Sequence, residues 1–165
     1  MYWDITKALL AYWISSCFKN DDKETKESGL YMSEIRKIKQ VILIRRDLKM
    51  RRGKEIAQGS HASGEFLISQ IRTIAKGNDD LIPLKLTEDE NCWIKQGMAK
   101  VCLKVTSEEE LLSCHQKATE AGLKSYLIRD SGRTEFGGVP TYTACAIGPH
   151  DVEAIDQITA HLSLY

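Results

Sequence analysis

The sequence has no net charge, no cysteine pair at metal-binding spacing and no apolar run long enough to cross a membrane. Its 23 basic and 23 acidic residues cancel, so only the local distribution of charge can explain a charged partner. The five cysteines, an odd number, include no C-x-x-C pair, which favours reduced thiols in a cytoplasmic protein over a disulfide framework. No grouping of cysteine and histidine has zinc-site spacing, and we therefore predict no metal site.

Residues 8–18, ALLAYWISSCF, are apolar and aromatic, but a helix that crosses a bilayer needs about 20 such residues. A secretory signal is not predicted either, because the charged residues before this stretch make a poor positive region. The favoured interpretation is an amphipathic helix or a partner-binding appendage, and a peripheral membrane anchor is the alternative. Residues 19–29 are polar and mixed in charge, as in a linker. We therefore assign residues 1–35 to an extension and linker, and residues 36–165 to a folded domain.

The folded part has a pattern typical of an α/β domain. Residues 40–46, QVILIRR, have a continuous apolar centre that indicates a strand buried on both faces. Gly148-Pro149 is expected to break the last strand. Helical crossovers between strands imply parallel pairings and cover both faces of a sheet. We therefore predict a small mixed four-stranded sheet with helices on both faces, in the order β-α-α-β-α-β-β-α. The predicted strands are residues 40–46, 99–105, 124–129 and 141–147, and the helices begin near residues 53, 87, 107 and 151.

Positive charge is concentrated around the end of the first strand and the start of the first helix, where only Asp47 opposes it. A solvated surface is the ordinary interpretation of such a run. Its position favours a different one, because α/β folds gather ligands there and helix amides attract phosphate. A polyanion partner is therefore predicted, with nucleic acid first. The nine basic residues are Arg36, Lys37, Lys39, Arg45, Arg46, Lys49, Arg51, Arg52 and Lys54.

The Gly53-Lys54 pair does not form a P-loop. The Walker pattern needs Gly at position 48, which is Leu, and Ser or Thr at position 55, which is Glu and would repel phosphate.

A second candidate loop is Asp130-Ser131-Gly132-Arg133-Thr134, which follows a predicted strand. Taken alone, Asp-Ser-Gly indicates a turn. If this strand and the first one are parallel neighbours, however, Lys54 and Asp130 converge on one edge of the sheet. With the hydroxyls of Thr134 and Thr143 nearby, the pair could orient a water and stabilise an oxyanion. No Ser or Cys nucleophile with a base partner is evident, so direct attack by water is the natural inference.

Four stretches, in this order and spacing, resemble the archaeal and eukaryotic-type (class II) peptidyl-tRNA hydrolases. The resemblance covers most of residues 39–165. The stretches are VILIRRDLKMRRGKEIAQGSHA (41–62), KVCLKVTSEEELL (100–112), LIRDSGRTEF (127–136) and AIGPHDVEAIDQITAHLSLY (146–165).

The resemblance implies a mixed four-stranded sheet flanked by helices. It also implies hydrolysis of the ester between a peptide and the 3′ end of tRNA, which releases the peptide and recycles the tRNA. A homodimer, with no metal and no other cofactor, completes the expectation.

The site residues follow from the resemblance by matching motifs. The lysine of the family's Gly-Lys element falls on Lys54, and its Asp-x-Gly-x-Thr element places Asp130 and Thr134. The threonine before Ile-Gly-Pro falls on Thr143, and a loop one residue longer than the family's commonest form leaves Thr141 as the alternative. The resemblance also matches Gln58 and His61 to the helix that lines the site.

These residues have different expected roles. Lys54 either contacts the tRNA terminus or stabilises the developing oxyanion, and Asp130 is either the general base for water or the group that orients it. The two threonines donate or accept hydrogen bonds. His61 is either a proton shuttle or a histidine bonded to a backbone carbonyl. The residues expected to hold tRNA phosphates are Arg45, Arg46, Lys49, Arg51, Arg52 and Arg133, of which Arg51-Arg52 replace the family's usual Gly-Lys.

Two other functions are compatible with the sequence. One is a non-catalytic RNA- or protein-binding module that keeps the fold, and the other is a hydrolase for a different ester or amide. The intact key positions argue against the first, and a substrate without tRNA would distinguish the second.

Overall fold

The computed structural model describes residues 36–74 and 83–165. The predicted appendage, residues 1–35, and the predicted end of the first helix lie outside the described residues. The described elements are β1 Ile38–Arg45, α1 Arg52–Ile74, α2 Glu88–Lys95, β2 Lys100–Val105, α3 Glu108–Glu120, β3 Ser125–Asp130, β4 Thr141–Asp151, α4 Val152–Thr159 and β5 Ser163–Leu164.

The elements form one mixed sheet in the order β3-β4-β1-β2-β5. β1 pairs with β2 in parallel, and all other neighbouring strands are antiparallel. The predicted mixed α/β fold is confirmed, but the predicted count of four strands is wrong. The additional strand, β5, has two residues and joins the edge of β2 by pairing Leu164 with Leu103. A strand this short shows no periodicity in the sequence.

The central strand β1 is buried on both faces, as its apolar centre predicts. Val41 and Leu43 pack in the core formed with α3 and α4, whereas Ile42 and Ile44 pack on the opposite face beneath α1. This alternation follows from the two-residue period of a strand. The helices therefore cover both faces of the sheet. No helix among the described residues combines the length and the apolar character that crossing a bilayer requires.

Strand β4 is longer than predicted, because Gly148-Pro149 does not end it. The strand continues to Asp151 across a cis peptide bond between these two residues. Val41 pairs with Ile147 and Lys39 with His150, so β4 holds one more residue than β1 over this interval. Gly148 accommodates the bulge with a φ of 89°, and a Cβ there would lie 2.9 Å from the carbonyl oxygen of Lys39.

The direction of the strands positions the candidate site. The expected convergence of Lys54 and Asp130 assumed that β1 and β3 are neighbours. They are not, because β4 lies between them. Since β4 is antiparallel to both, β1 and β3 still run in the same direction. Their carboxyl ends therefore meet at one edge of the sheet, where α1 begins.

A buried carboxylate fixes the start of α2. The Glu90 side chain is fully buried, and its carboxylate accepts hydrogen bonds from the Thr87 backbone N–H and the Lys124 ammonium, each at 2.7 Å. The Thr87 hydroxyl accepts in turn from the Glu90 N–H at 3.2 Å. This reciprocal capping box, expected from Thr87-Glu88-Asp89-Glu90, joins α2 to the residue before β3.

We expect Glu90→Ala to lower the free energy of unfolding by about 2–3 kcal/mol, because hydrogen bonds to charged groups are the stronger ones and Lys124 would lose its partner. Glu88→Ala is the matched control, since that side chain is 88% exposed and its removal should change stability little. Urea denaturation of the two variants measures the difference. Equal losses would contradict a structural role for the Glu90 carboxylate.

Candidate active site

Lys54 and Asp130 form an ion pair at the edge of the sheet where β1 and β3 end. Lys54 is in the first turn of α1, and Asp130 is the last residue of β3. The Lys54 Nζ donates to Asp130 Oδ2 at 2.6 Å, and the two side chains are only 12% and 14% exposed. The structure thus brings together the two residues that the sequence analysis expected to meet.

Asp130 is held as a carboxylate by three donors. Besides Lys54, the Gly132 backbone N–H donates to Oδ1 at 2.8 Å and the Gln58 amide to Oδ2 at 3.0 Å. The Lys54 hydrogen bond is the largest cause that holds the pKa of Asp130 below its ordinary value, with smaller contributions from Gly132 and Gln58, while desolvation opposes them. A carboxylate accepts at about four lone-pair sites, so one site on Oδ1 stays available for a water.

The low pKa makes Asp130 better suited to orienting a water than to storing its proton. An efficient general base has a pKa near the working pH, and the pKa of Asp130 is shifted in the opposite direction. Of the two roles expected for this residue, the orienting role therefore fits its surroundings better.

Gln58 and Thr143 extend the network into the core, where both are buried. Because ionised Asp130 can only accept hydrogen bonds, the Gln58 NH2 must face it, and the amide oxygen must face away. The Thr143 hydroxyl donates to that amide oxygen at 2.5 Å. The donors therefore run in one direction, from Thr143 through Gln58 to Asp130, and this chain fixes the orientation of the carboxylate.

A bulge in β4 turns Thr143 toward this network. Ile128 pairs with Ala144 and Arg129 with Tyr142, so Thr143 is an extra residue opposite β3. Ala144 packs on the α1 face and Tyr142 on the α3 face. Without the bulge, alternation from Ala144 would place Thr143 on the α3 face, away from Gln58. Bulges of this kind are common beside active sites, where they redirect a side chain.

Thr141, the alternative to Thr143, does not take part in the network. Its hydroxyl donates to the carbonyl oxygen of Val139 at 2.9 Å, within the loop that precedes β4.

The loop of residues 131–140 is tied to the start of α1. The Thr134 hydroxyl accepts from Lys54 Nζ at 3.0 Å, and the Phe136 ring centroid lies 5.5 Å from the same nitrogen. Arg51 Nε donates to Glu135 at 2.8 Å, and this bond lowers the pKa of Glu135. No local pattern in the sequence marks Glu135 and Phe136 as site residues, because their partners are more than 80 residues away.

His61 lies on α1 about two turns after Lys54, and its side chain is exposed. Within residues 36–74 and 83–165, the His61 side chain makes no hydrogen bond to a backbone carbonyl, which was one of its two predicted roles. Its role as a proton shuttle stays a prediction.

The basic residues expected to bind phosphate occupy two different environments. Arg46, with a half-exposed side chain, donates to Glu55 at 2.9 Å and to the Tyr165 hydroxyl at 2.9 Å. Four other basic residues of this set have exposed side chains: Lys49, Arg51, Arg52 and Arg133. These exposed residues are close in sequence to Lys54 or to Asp130, in the segment between β1 and α1, in the first residue of α1 and in the loop after β3.

Arg45 differs from the others because it is buried and lies on the α3 face of β1. Its guanidinium donates to Asp47 and Glu108, each at 2.6 Å, and to the Tyr142 carbonyl oxygen at 3.0 Å. Contact with phosphate would require these bonds to break. Arg45 therefore stays a prediction from the sequence that its surroundings do not favour.

The arrangement can polarise a carbonyl and position a water beside it. An ammonium group has three N–H donors, and Lys54 uses two of them on Asp130 and Thr134. The third can reach a substrate oxygen, while the remaining acceptor site on Asp130 orients the water. No group of three or more metal-binding side chains occurs in the part of the chain that the structure describes.

Comparison with known proteins gives one family and several curated relatives. The family model described as "Peptidyl-tRNA hydrolase PTH2" matches residues 38–165. A peptidyl-tRNA hydrolase of Methanocaldococcus jannaschii is 40% identical over 127 residues, which make up 77% of this chain and 99% of that protein. The corresponding protein of Methanopyrus kandleri is 41% identical, over 76% of this chain and 97% of its own. A mitochondrial peptidyl-tRNA hydrolase 2 of Bos taurus is 38% identical, over 88% and 73% respectively.

Gly132 is expected to be essential for the loop geometry. Its φ is 78°, and a Cβ there would lie 2.2 Å from the carbonyl oxygen of Val139. Gly138 is the matched control, because it has a φ of 85° with open space around it. Gly138→Ala should cost about 1–2 kcal/mol from the backbone conformation alone. Gly132→Ala should cost at least ~1 kcal/mol more, because Val139 must also move. Chemical denaturation compares them, and equal costs would exclude the clash.

Proposed function

The chain belongs to the peptidyl-tRNA hydrolase PTH2 family, and from this premise we propose that it hydrolyses the ester between a peptide and the 3′ end of tRNA through Lys54 and Asp130. The observation that carries the assignment of the site is the ion pair of these two residues, and exposed basic side chains occur in the segments that lead to Lys54 and follow Asp130. A cationic surface suits the phosphates of tRNA, and the ion pair suits attack of water on an ester.

Lys54 stabilises the transition state. As water attacks the ester carbonyl, negative charge develops on the carbonyl oxygen, and a preorganised donor at that oxygen lowers the barrier. The third N–H of Lys54 is that donor. Asp130 and Thr134 hold the ammonium group in place before the substrate arrives, so little reorganisation is needed during the reaction.

Asp130 orients the attacking water. The water donates to Oδ1, whose other contact is the Gly132 N–H, and its oxygen faces the carbonyl carbon. Gln58 and Thr143 are positioning residues, because they fix the carboxylate without reaching the substrate. The water oxygen forms a bond to the carbonyl carbon, and the bond from that carbon to the 3′ ribose oxygen breaks. The ribose oxygen takes up the proton that the water gives up, so the products are a free hydroxyl on the tRNA and a peptide with a free carboxylic acid.

The exposed residues Lys49, Arg52 and Arg133 hold the phosphates near the 3′ end of the tRNA. Arg51 contributes less, because Glu135 already partly neutralises it. A homodimer stays a prediction that rests on the family resemblance, and a cytoplasmic location stays a prediction that rests on the odd number of cysteines.

We expect Lys54→Ala and Asp130→Asn each to lower kcat/KM by a factor of about 100 or more, the loss typical of removing one preorganised donor or positioning group. The measurement is release of peptide from N-blocked aminoacyl-tRNA in the presence of a chelator. Lys117→Ala, an exposed residue on α3, is the control and should retain full activity. Circular dichroism should show that all three variants keep the fold.

Other outcomes would point elsewhere. Full activity in both variants would refute the assigned site while leaving the reaction intact. Binding of tRNA by the wild type with no release of peptide would support the non-catalytic module instead. Equal hydrolysis of a blocked amino-acid ester that lacks tRNA would indicate a hydrolase for a different substrate.

Removal of a single phosphate-binding side chain should weaken the salt dependence of tRNA binding. For Lys49→Ala, Arg52→Ala or Arg133→Ala, the slope of log Kd against log salt concentration should fall by about 0.7–0.9 for each phosphate that is no longer neutralised. Deacylated tRNA is a suitable ligand, because it is not turned over. Lys117→Ala again provides the control, and an unchanged slope in all three variants would exclude these residues from the tRNA surface.

A further inference from the structure

A second concave surface lies on the other side of α1 from the ion pair. This α1–β2 groove is a cavity of about 720 Å³ between helix α1, strands β1 and β2, and the Tyr165 side chain. Its size is in the range of pockets that bind drug-sized ligands. The side chains that define its apolar surface are Ile42, Ile44, Ile56, Cys102 and Tyr165, and Gly59 and Ser60 leave room beside them.

The groove exists because no described helix covers this half of the sheet. α1 packs over β1, β4 and β3. On β2, Lys100, Cys102 and Lys104 are exposed, whereas Leu103 and Val105, on the opposite face, are buried in the core with α3. Ile56 projects from α1 beside this open area with 70% of its surface exposed. An apolar surface of this kind is typical of a binding site.

Apart from Arg52, which lines the groove and is also proposed to bind a tRNA phosphate, the groove shares no residue with the proposed site. Lys54 and Gln58 face β3 from one side of α1, while Ile56, Gly59 and Ser60 face β2 from the other. A ligand in the groove would leave the Lys54–Asp130 network untouched. The group that binds in the α1–β2 groove is therefore not the reacting ester.

Residues 8–18 of the same chain match the groove in chemistry and length. Leu10, Trp13, Ile14 and Cys17 recur at three- and four-residue steps, as in a helix with one apolar face. Eleven residues in a helix extend about 16 Å, and the part of α1 that lines the groove, Arg52 to Gly64, extends about 20 Å.

The chain can also reach the groove. Gln40 is opposite Lys100 in the sheet and donates to the Ser63 carbonyl oxygen at 3.2 Å, so the described chain starts close to one end of the groove. Residues 19–35 can span at most about 60 Å, several times the length of the groove. Their stretch at 19–29 has four acidic and three basic residues. The groove is lined by two basic residues, Arg52 and Lys100, and by Glu55, whose carboxylate is paired with Arg46.

We propose that residues 8–18 dock in the α1–β2 groove, with their apolar face against Ile56 and Cys102. The inference goes beyond the proposed function and does not depend on it. Docking would cover the open half of the sheet and give the apolar segment a partner within its own chain.

The reactivity of Cys102 in the full chain tests the proposal. Cys102 is exposed on the groove surface formed by the described residues, so docking should slow its alkylation, which mass spectrometry can measure cysteine by cysteine. Trp13→Asp should raise the Cys102 rate by a factor of about 10 or more, because protection falls as the docked state is destabilised. Trp3→Asp, outside the apolar run, should leave it unchanged. Cys114, a buried residue of α3, should react equally slowly throughout and so report an intact fold.

A second pair of variants tests the groove itself. Ile56→Ser should also raise the Cys102 rate, whereas Ile68→Ser, exposed on the same helix beyond the groove, should not. Equal Cys102 rates in the wild type and in Trp13→Asp would overturn the proposal. If Cys102 loses its protection from alkylation when the protein is diluted, a second copy of the chain covers the groove, and the proposal is overturned. Protection that requires phosphatidylcholine–phosphatidylglycerol vesicles would overturn it in favour of a membrane surface. None of these rates depends on hydrolysis of peptidyl-tRNA.

Discussion

The hydrogen-bonded ion pair between Lys54 and Asp130 is the contact on which the site depends. It joins the first turn of α1 to the end of β3, although β4 separates β1 from β3. Gln58 donates to Asp130 and Thr134 accepts from Lys54, so both residues hold the members of the pair in position. The same contact keeps the carboxylate ionised. The site is consequently organised for holding charges and a water in fixed positions, and less for accepting a proton.

The sequence predicts the parts of the site that follow from local rules. Asp130 directly follows the predicted strand 124–129, so the sequence places it at the carboxyl end of that strand. Lys54 follows the first strand at the start of a helix, which places it at the carboxyl edge of the sheet. Thr143 obeys no such rule, because its orientation depends on a bulge that only the pairing of β3 with β4 reveals. The two-residue strand β5 and the continuation of β4 past Gly148 likewise depend on neighbouring strands and not on their own sequence.

The run of basic residues is less uniform in the structure than in the sequence. Arg45 and Arg46 are adjacent, yet Arg45 contacts Glu108 at the start of α3, and Arg46 contacts Glu55 of α1. Lys39 is buried beside Asp156 of α4. Strand alternation therefore removes part of the run from the surface near Lys54. A linear count of charges cannot separate these groups, because it carries no information about faces.

Because of the bulge at Thr143, the side of the sheet on which this threonine emerges does not depend on the length of the connection between β3 and β4. Since the extra residue is absorbed inside β4, the side on which the threonine emerges is set by strand pairing and not by how many residues connect β3 to β4. A change in the number of residues that connect β3 to β4 would therefore not by itself rotate the threonine away from Gln58, although it would disturb the contacts of Gly132 and Thr134 in that segment.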